Sequence, residues 1–151
     1  MHLQPIKEFL SYIEECHISL SHLYNRLSME ASDDHIKSLL DFMSHKEKSS
    51  YQQLRTYAQQ APADILETQL SRIADQSFIA KCQETTIKSN SLVEDVTTLA
   101  VNFNIQIIEL LQTAAHSSPT IEAEIALEKL SNQEEETLHH VIDAGRELEF
   151  I

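Results

Sequence analysis

One short pattern occurs twice in this chain, with 87 positions between equivalent residues. Each copy has apolar residues at helical spacing around one glutamate, which a small hydroxyl residue follows one helical turn later. The first copy is Leu40, Met43, Glu47, Ser50 and Leu54, and the second is Leu127, Leu130, Glu134, Thr137 and Val141. At about 100° of rotation per residue, the five positions of each copy lie on one helix face that points into a core. An unpaired carboxylate in a core is costly, so both glutamates require partners.

The same offset relates the helices that precede the two copies. It matches apolar residues and helix caps in pairs: Ile6 with Val93, Phe9 with Val96, Ile13 with Ala100, Leu20 with Ile107, Tyr24 with Leu111, Leu27 with Ala114, and Asp33 with Thr120. We therefore expect one domain over residues 1–151, with matching helical hairpins at about 5–60 and 91–145 and a long crossover at about 61–90. This layout predicts an all-α four-helix bundle.

Helix boundaries follow from capping signals. The first helix should begin near Pro5, and the second should run from about 34 to 59 with Asp33 as its N-terminal cap. The third should begin at a capping box from Ser91 to Glu94. The fourth should run from about 121 to 144, with Thr120 as its N-terminal cap and Gly145 as its C-terminal cap. In the crossover, apolar residues predict a short helix and a buried anchor: Ile65, Leu66, Leu70 and Ile73 for the helix, and Phe78 and Ile79 for the anchor.

Composition narrows the class of protein. One glycine and three prolines favour a helical chain, and a single glycine excludes a glycine-rich phosphate loop. The net charge of −13 disfavours nucleic acid and anionic membrane surfaces as partners. Cys16 and Cys82 have no metal-binding or disulfide-framework spacing, and the sequence contains neither a secretion signal nor an apolar span. We therefore expect a cytoplasmic protein with reduced thiols.

The repeat resembles the ferritin-like superfamily, and it is closest in style to rubrerythrin-type domains over roughly residues 5–145. In that family each hairpin supplies a glutamate from its first helix and Glu-x-x-His from its second, and these side chains hold two irons in the bundle core. The resemblance implies a ferritin-like fold and assigns a position in this chain to each ligand.

Carried over position by position, the resemblance leaves an incomplete ligand set. The first-helix ligand lies seven residues before a tyrosine that matches Tyr24, which places His17 at that position. The other positions hold Glu47 and Ser50 in the second helix, Asn104 in the third, and Glu134 and Thr137 in the fourth. Both family histidines are therefore replaced by hydroxyl residues. A hydroxyl or an amide is a weaker iron ligand than an imidazole or a carboxylate.

These six residues allow three interpretations. They can form a hydrogen-bonded polar layer that fixes helix register, without a cofactor. His17, Glu47 and Glu134 can hold one weakly bound iron, manganese or zinc ion. A di-iron redox centre requires more ligands than remain. The sequence favours a ferritin-like protein that is non-catalytic and whose function is unassigned.

Other residues suggest different functions. His45 begins a segment similar to the histidine-phosphotransfer motif, His-x-x-Lys-Gly-Ser, and would be the phosphate acceptor in a signalling bundle. Glu136 and His139 read as Glu-x-x-His, but helical phase places them on the solvent face. A further interpretation is a bundle that associates as a homodimer through aromatic side chains, with four candidate anchors: Tyr12, Tyr51, Tyr57 and Phe150.

Overall fold

The computed structural model describes residues 2–72 and 76–149. Its elements in chain order are β1 (Leu3–Pro5), α1 (Ile6–Glu30), α2 (Asp34–Gln60), α3 (Ala63–Leu66), β2 (Gln69–Ser71), α4 (Phe78–Glu84), α5 (Val93–His116) and α6 (Ile121–Glu149). Ile73 and Phe150, which entered the sequence predictions, lie outside the described residues.

Two long helical hairpins form the bundle. α1 packs along α2, α5 packs along α6, and α2 contacts both helices of the second hairpin. The residues that the repeat assigned to inward faces are buried in one apolar core, which includes Phe9, Leu20, Leu40, Met43, Val96, Phe103, Ile107, Leu127 and Val141. The prediction of an all-α bundle built from two hairpins and a crossover is confirmed.

Two of the predicted N-terminal caps are present. Asp33 Oδ1 accepts hydrogen bonds from the backbone N–H groups of His35 at 2.8 Å and Ile36 at 3.1 Å. Thr120 Oγ1 accepts one from the N–H of Ala123 at 3.2 Å. Each hydroxyl or carboxylate oxygen thus satisfies N–H groups that have no partner within the first helical turn.

The starts of α1 and α5 differ from the predictions by one residue. Pro5 is the last residue of β1 and precedes the helix instead of opening it. At α5, the N-cap is Leu92, whose N–H donates to Asp95 Oδ2 at 2.8 Å. The capping box predicted at Ser91 is therefore wrong. Asp95 is acidic like its neighbour Glu94, so the sequence is compatible with a capping box that begins at either Ser91 or Leu92.

Gly145 does not end α6, which continues to Glu149. A Cβ at this position would overlap the Thr97 Oγ1 atom of α5 and lie 3.1 Å from its Cγ2. The predicted C-terminal cap is therefore wrong, because the glycine allows close packing of α5 against α6. In the first hairpin, Ala58 and Leu10 stand at the equivalent positions.

The described part of the crossover, residues 61–72 and 76–90, contains two short helices and one strand. β2 pairs antiparallel with β1, so that Leu3 is opposite Ser71 and Pro5 is opposite Gln69. Leu70 lies in this strand, 2 % exposed, and the longer helix predicted around it is wrong. The anchor at Phe78 is confirmed, because this residue is buried and its ring meets that of Phe103 edge to face, with 5.3 Å between centroids.

Across residues 2–72 and 76–149, no helix has both the length and the apolar character that a membrane span requires.

Candidate functional site

The site lies where the polar positions of the repeat meet inside the bundle. α1 contributes His17, α2 contributes Glu47 and α6 contributes Glu134, each from the face that its apolar neighbours direct inward. The relative exposures of these residues are 0 %, 2 % and 8 %. The three residues that the sequence assigned to a possible metal therefore meet in the core.

His17 stands between the two glutamates. Its Nδ1 donates a hydrogen bond to Glu47 Oε2 at 2.6 Å. Its Nε2 lies 2.6 Å from Glu134 Oε1. The second contact is an ion pair and not an aligned hydrogen bond, because Nε2 has no partner in hydrogen-bond geometry. Both ring nitrogens thus lie within ion-pair distance of a carboxylate oxygen, which favours a ring with a proton on each nitrogen.

The electrostatics of the site agree with a protonated ring. Burial alone lowers the pKa of His17, but the carboxylates of Glu134 and Glu47 outweigh it and raise the pKa to about 10. Burial raises the pKa of Glu47, and the neighbouring His17 opposes that shift. We therefore describe the centre at neutral pH as an imidazolium between two carboxylates, and refer to these three residues as the triad.

The remaining three positions of the repeat are less well paired. Asn104 is fully buried, and neither its Oδ1 nor its Nδ2 has a hydrogen-bond partner. Ser50 and Thr137 are half-buried and line, with Glu134, a cavity of about 20 Å³. This volume suffices for about one water molecule. Within the predicted polar layer, His17 therefore contacts both glutamates of the triad, whereas Asn104 has no hydrogen-bond partner.

A comparison with known proteins agrees with this architecture. No protein-family model matches the sequence, and no curated protein matches it. A Thermotoga maritima protein of known structure, proposed to be a ferritin-like diiron-carboxylate protein, is 19 % identical in sequence and superposes with a TM-score of 0.62. The match covers 97 % of this chain and 98 % of the other. The fold of this chain is ferritin-like.

The donor set of this ferritin-like bundle does not fit a di-iron centre. Two carboxylates and one imidazole remain, and the two ring nitrogens each lie 2.6 Å from an oxygen of a different carboxylate, so a protonated ring offers no lone pair to a metal. Over residues 2–72 and 76–149, no group of three or more His, Cys, Asp or Glu side chains is arranged to hold a metal ion. A metal at the triad would first have to displace a proton and break two ion pairs.

Sequence reasoning missed two buried hydroxyl groups in this ferritin-like core. Tyr24 and Ser131 are buried, and the oxygen of each hydroxyl has no hydrogen-bond partner. Ser131 could have been found by the repeat, because it is the equivalent of Ser44. Ser44 Oγ donates to the carbonyl oxygen of Ser21 at 2.9 Å, whereas the second hairpin has Ile108 at the position of Ser21.

The other candidate residues lie on the surface. Glu136 and His139 are exposed, as their helical phase predicted. His45 is also exposed, and its Nδ1 donates to the carbonyl oxygen of Asp41 at 2.8 Å. The assignment of His45 as a phosphate acceptor stays a prediction.

The described aromatic residues proposed for an interface are half-buried in this single chain. Tyr12 and Tyr57 pack against the core, and the Tyr51 hydroxyl accepts a hydrogen bond from Arg55 at 2.8 Å. Phe150 lies outside the described residues. The homodimer stays a prediction.

Proposed function

We propose that this chain is a ferritin-like bundle that operates without a di-iron centre, as a non-catalytic protein with a protonated histidine in place of metal charge. The observation that supports this most is the position of His17, with each ring nitrogen 2.6 Å from a carboxylate oxygen. The residues are those that the ferritin-like resemblance assigns to metal ligands, but here the imidazole contacts both carboxylates.

The charge balance explains why such a substitution is compatible with the fold. Two carboxylates in a core without a cation repel each other and lose their hydration, which costs several kcal/mol. An imidazolium supplies one positive charge that is shared by both ring nitrogens. One negative charge then remains on the triad, of which Glu134 is the most exposed member at 8 %.

The same charge balance opposes metal binding. A metal ion requires a neutral imidazole, so binding at His17 must release a proton from a group with a pKa of about 10. At pH 7 this deprotonation costs on the order of 4 kcal/mol, or about a thousandfold in apparent affinity. Without a redox metal, the triad has no group that activates dioxygen or peroxide. A structural or ligand-binding function therefore fits the bundle better than an oxidase function.

The test is metal content by mass spectrometry on tag-free protein, grown with iron and dialysed against a mild chelator. We expect far less than one metal ion per chain, and no acceleration of ferrous iron oxidation in air. Stoichiometric iron, manganese or zinc that disappears in the Glu47→Gln/Glu134→Gln variant would contradict the proposal.

A matched surface variant separates core metal from adventitious metal. Glu136→Gln/His139→Gln removes the exposed Glu-x-x-His without changing the triad. Metal that this variant loses, and that the core variant retains, belongs to the surface and leaves the proposal intact.

A further inference from the structure

A second cavity lies away from the triad, between α1, α4, α5 and β2. Its volume is about 450 Å³, and it shares no lining residue with the small cavity beside Glu134. The interior is apolar and is formed by Phe9, Leu70, Phe78, Leu110 and Ala114. Cavities of this size are typical of small-molecule sites.

The rim of this cavity carries two basic side chains. Arg72 and Lys81 are exposed lining residues, and neither has an ion-pair partner among the described residues. Glu109 also lines the cavity, so the described lining residues carry a net charge of plus one. The chain has 24 acidic and 11 basic residues. Two basic side chains with no acidic partner in the described part of the chain are therefore unusual, given this excess of acidic residues.

We propose that this cavity binds an amphiphilic carboxylate, with the apolar chain between α1 and α5 and the carboxylate at Arg72 and Lys81. An uncharged apolar ligand would make no use of the two cations. A small anion would leave the apolar interior unfilled. The planar guanidinium of Arg72 suits a carboxylate, to which it can donate two parallel hydrogen bonds.

The crossover explains why a cavity forms here. The strand pair β1–β2 fixes the position of Leu70, and α4 places Phe78 against Phe103 of α5. The side chain of Phe9 lines the cavity between them. The ligand would therefore contact the crossover together with α1 and α5, and none of the triad residues.

The experiment is isothermal titration of the full chain with decanoate below its micellar concentration. Decanol and decyltrimethylammonium serve as uncharged and cationic probes at the same ionic strength. We expect one decanoate per chain, with weaker binding of decanol and none of the cation. Arg72→Gln/Lys81→Gln should weaken decanoate binding about tenfold and leave decanol unchanged.

Two further variants complete the test. Lys129→Gln/Arg146→Gln removes one exposed lysine and one exposed arginine outside the cavity, and should bind decanoate like the original chain. Thr113→Trp places a large side chain at an exposed position on the cavity wall, and should abolish binding of both decanoate and decanol while far-ultraviolet circular dichroism keeps its helical signal.

Several results would overturn the proposal. One is a folded chain that binds no decanoate. Others are equal binding of the cationic probe, or undiminished binding by Arg72→Gln/Lys81→Gln. A dimer in sedimentation that Thr113→Trp dissociates, together with absent decanoate binding, would assign the cavity to a second copy of this chain instead.

Discussion

Hairpin α1–α2 and hairpin α5–α6 share one apolar repeat, but two polar residues that have partners in the first hairpin have equivalents without partners in the second. His17 contacts two carboxylates, whereas its equivalent, Asn104, has two buried polar atoms without partners. Ser44 bonds to Ser21, whereas its equivalent, Ser131, has no partner. At these two pairs of positions the first hairpin has a paired polar group and the second has an unpaired one, whereas Glu134 of the second hairpin is paired within the triad. The comparison suggests that polar residues contribute to stability mainly in the first hairpin.

Removal of His17 should have the largest effect, because it leaves Glu47 and Glu134 buried without a cation. We expect His17→Leu to lower the free energy of unfolding by about 3–5 kcal/mol, measured by urea denaturation. His22→Leu, at an exposed position of the same helix, is the control.

A rescue variant tests whether the loss of stability comes from the uncompensated charge of the two glutamates. Adding Glu47→Gln and Glu134→Gln to His17→Leu should recover about half of the loss or more, because the buried carboxylates are then neutral. If His17→Leu alone is as stable as the original chain, the first hairpin has no special polar contribution.

Stability should also decrease at alkaline pH. The pKa of His17 is about 10 in the folded chain and 6.5 in the unfolded chain, so its stabilisation is complete below pH 6.5 and is lost as the pH rises through 10. Between pH 7 and 9 the folded state holds about one more proton. The free energy of unfolding should then decrease by about 1.4 kcal/mol per pH unit, or about 3 kcal/mol in total.

The control for the pH series is the triple variant His17→Leu/Glu47→Gln/Glu134→Gln. Its slope over the same range should be smaller by about one proton, because the group that titrates is absent. Equal slopes for the two proteins would show that His17 is neutral in the folded chain.

In the second hairpin, removal of an unpaired amide should increase stability. Asn104→Leu retains the side-chain size and eliminates two buried polar atoms that lack partners. We expect a gain of about 1–2 kcal/mol in the free energy of unfolding. Asn102→Leu, at an exposed position of α5, should change it by less than about 0.5 kcal/mol. A loss of stability in Asn104→Leu would mean that the amide is hydrogen-bonded in solution.

The smallest expected change in the free energy of unfolding is at the equivalent serines, Ser44 and Ser131. Ser44→Ala removes a hydroxyl that donates to the Ser21 carbonyl oxygen and should cost about 1 kcal/mol. Ser131→Ala removes a buried hydroxyl without a partner and should be neutral or slightly stabilising. Thermal unfolding of the two variants side by side gives the difference. Equal destabilisation would remove the contrast between the hairpins.

The fold was predictable because the apolar repeat fixes helical phase over long segments. The inward positions of His17, Glu47 and Glu134 followed from the same phase. Features determined by one or two local contacts were less accessible. Gly145 has the sequence signature of a helix end, and only the approach of Thr97 explains its place inside α6. The strands β1 and β2 are three residues each, too short for an alternating apolar pattern.

The residues that form the site were predictable from the sequence, but the protonation state of His17 was not. A sequence gives the residues on a helix face but not the rotation of an imidazole ring. The protonation of the ring, which depends on the carboxylates that it meets, distinguishes a metal ligand that offers a lone pair from an imidazolium that offers two N–H groups. The cavity at Arg72 and Lys81 was not predicted either, because its walls come from distant segments joined by the crossover.

The most direct test of this account is a nuclear magnetic resonance spectrum of the ¹⁵N-labelled imidazole of His17 at neutral pH. We predict that both ring nitrogens carry protons, which would give two slowly exchanging N–H signals that are absent in His17→Leu. One unprotonated ring nitrogen at neutral pH, or loss of these signals when one equivalent of ferrous iron or zinc is added, would contradict the account. Loss of the signals on metal addition would make the triad a metal site, and one unprotonated nitrogen without metal would make it a neutral hydrogen-bonded network.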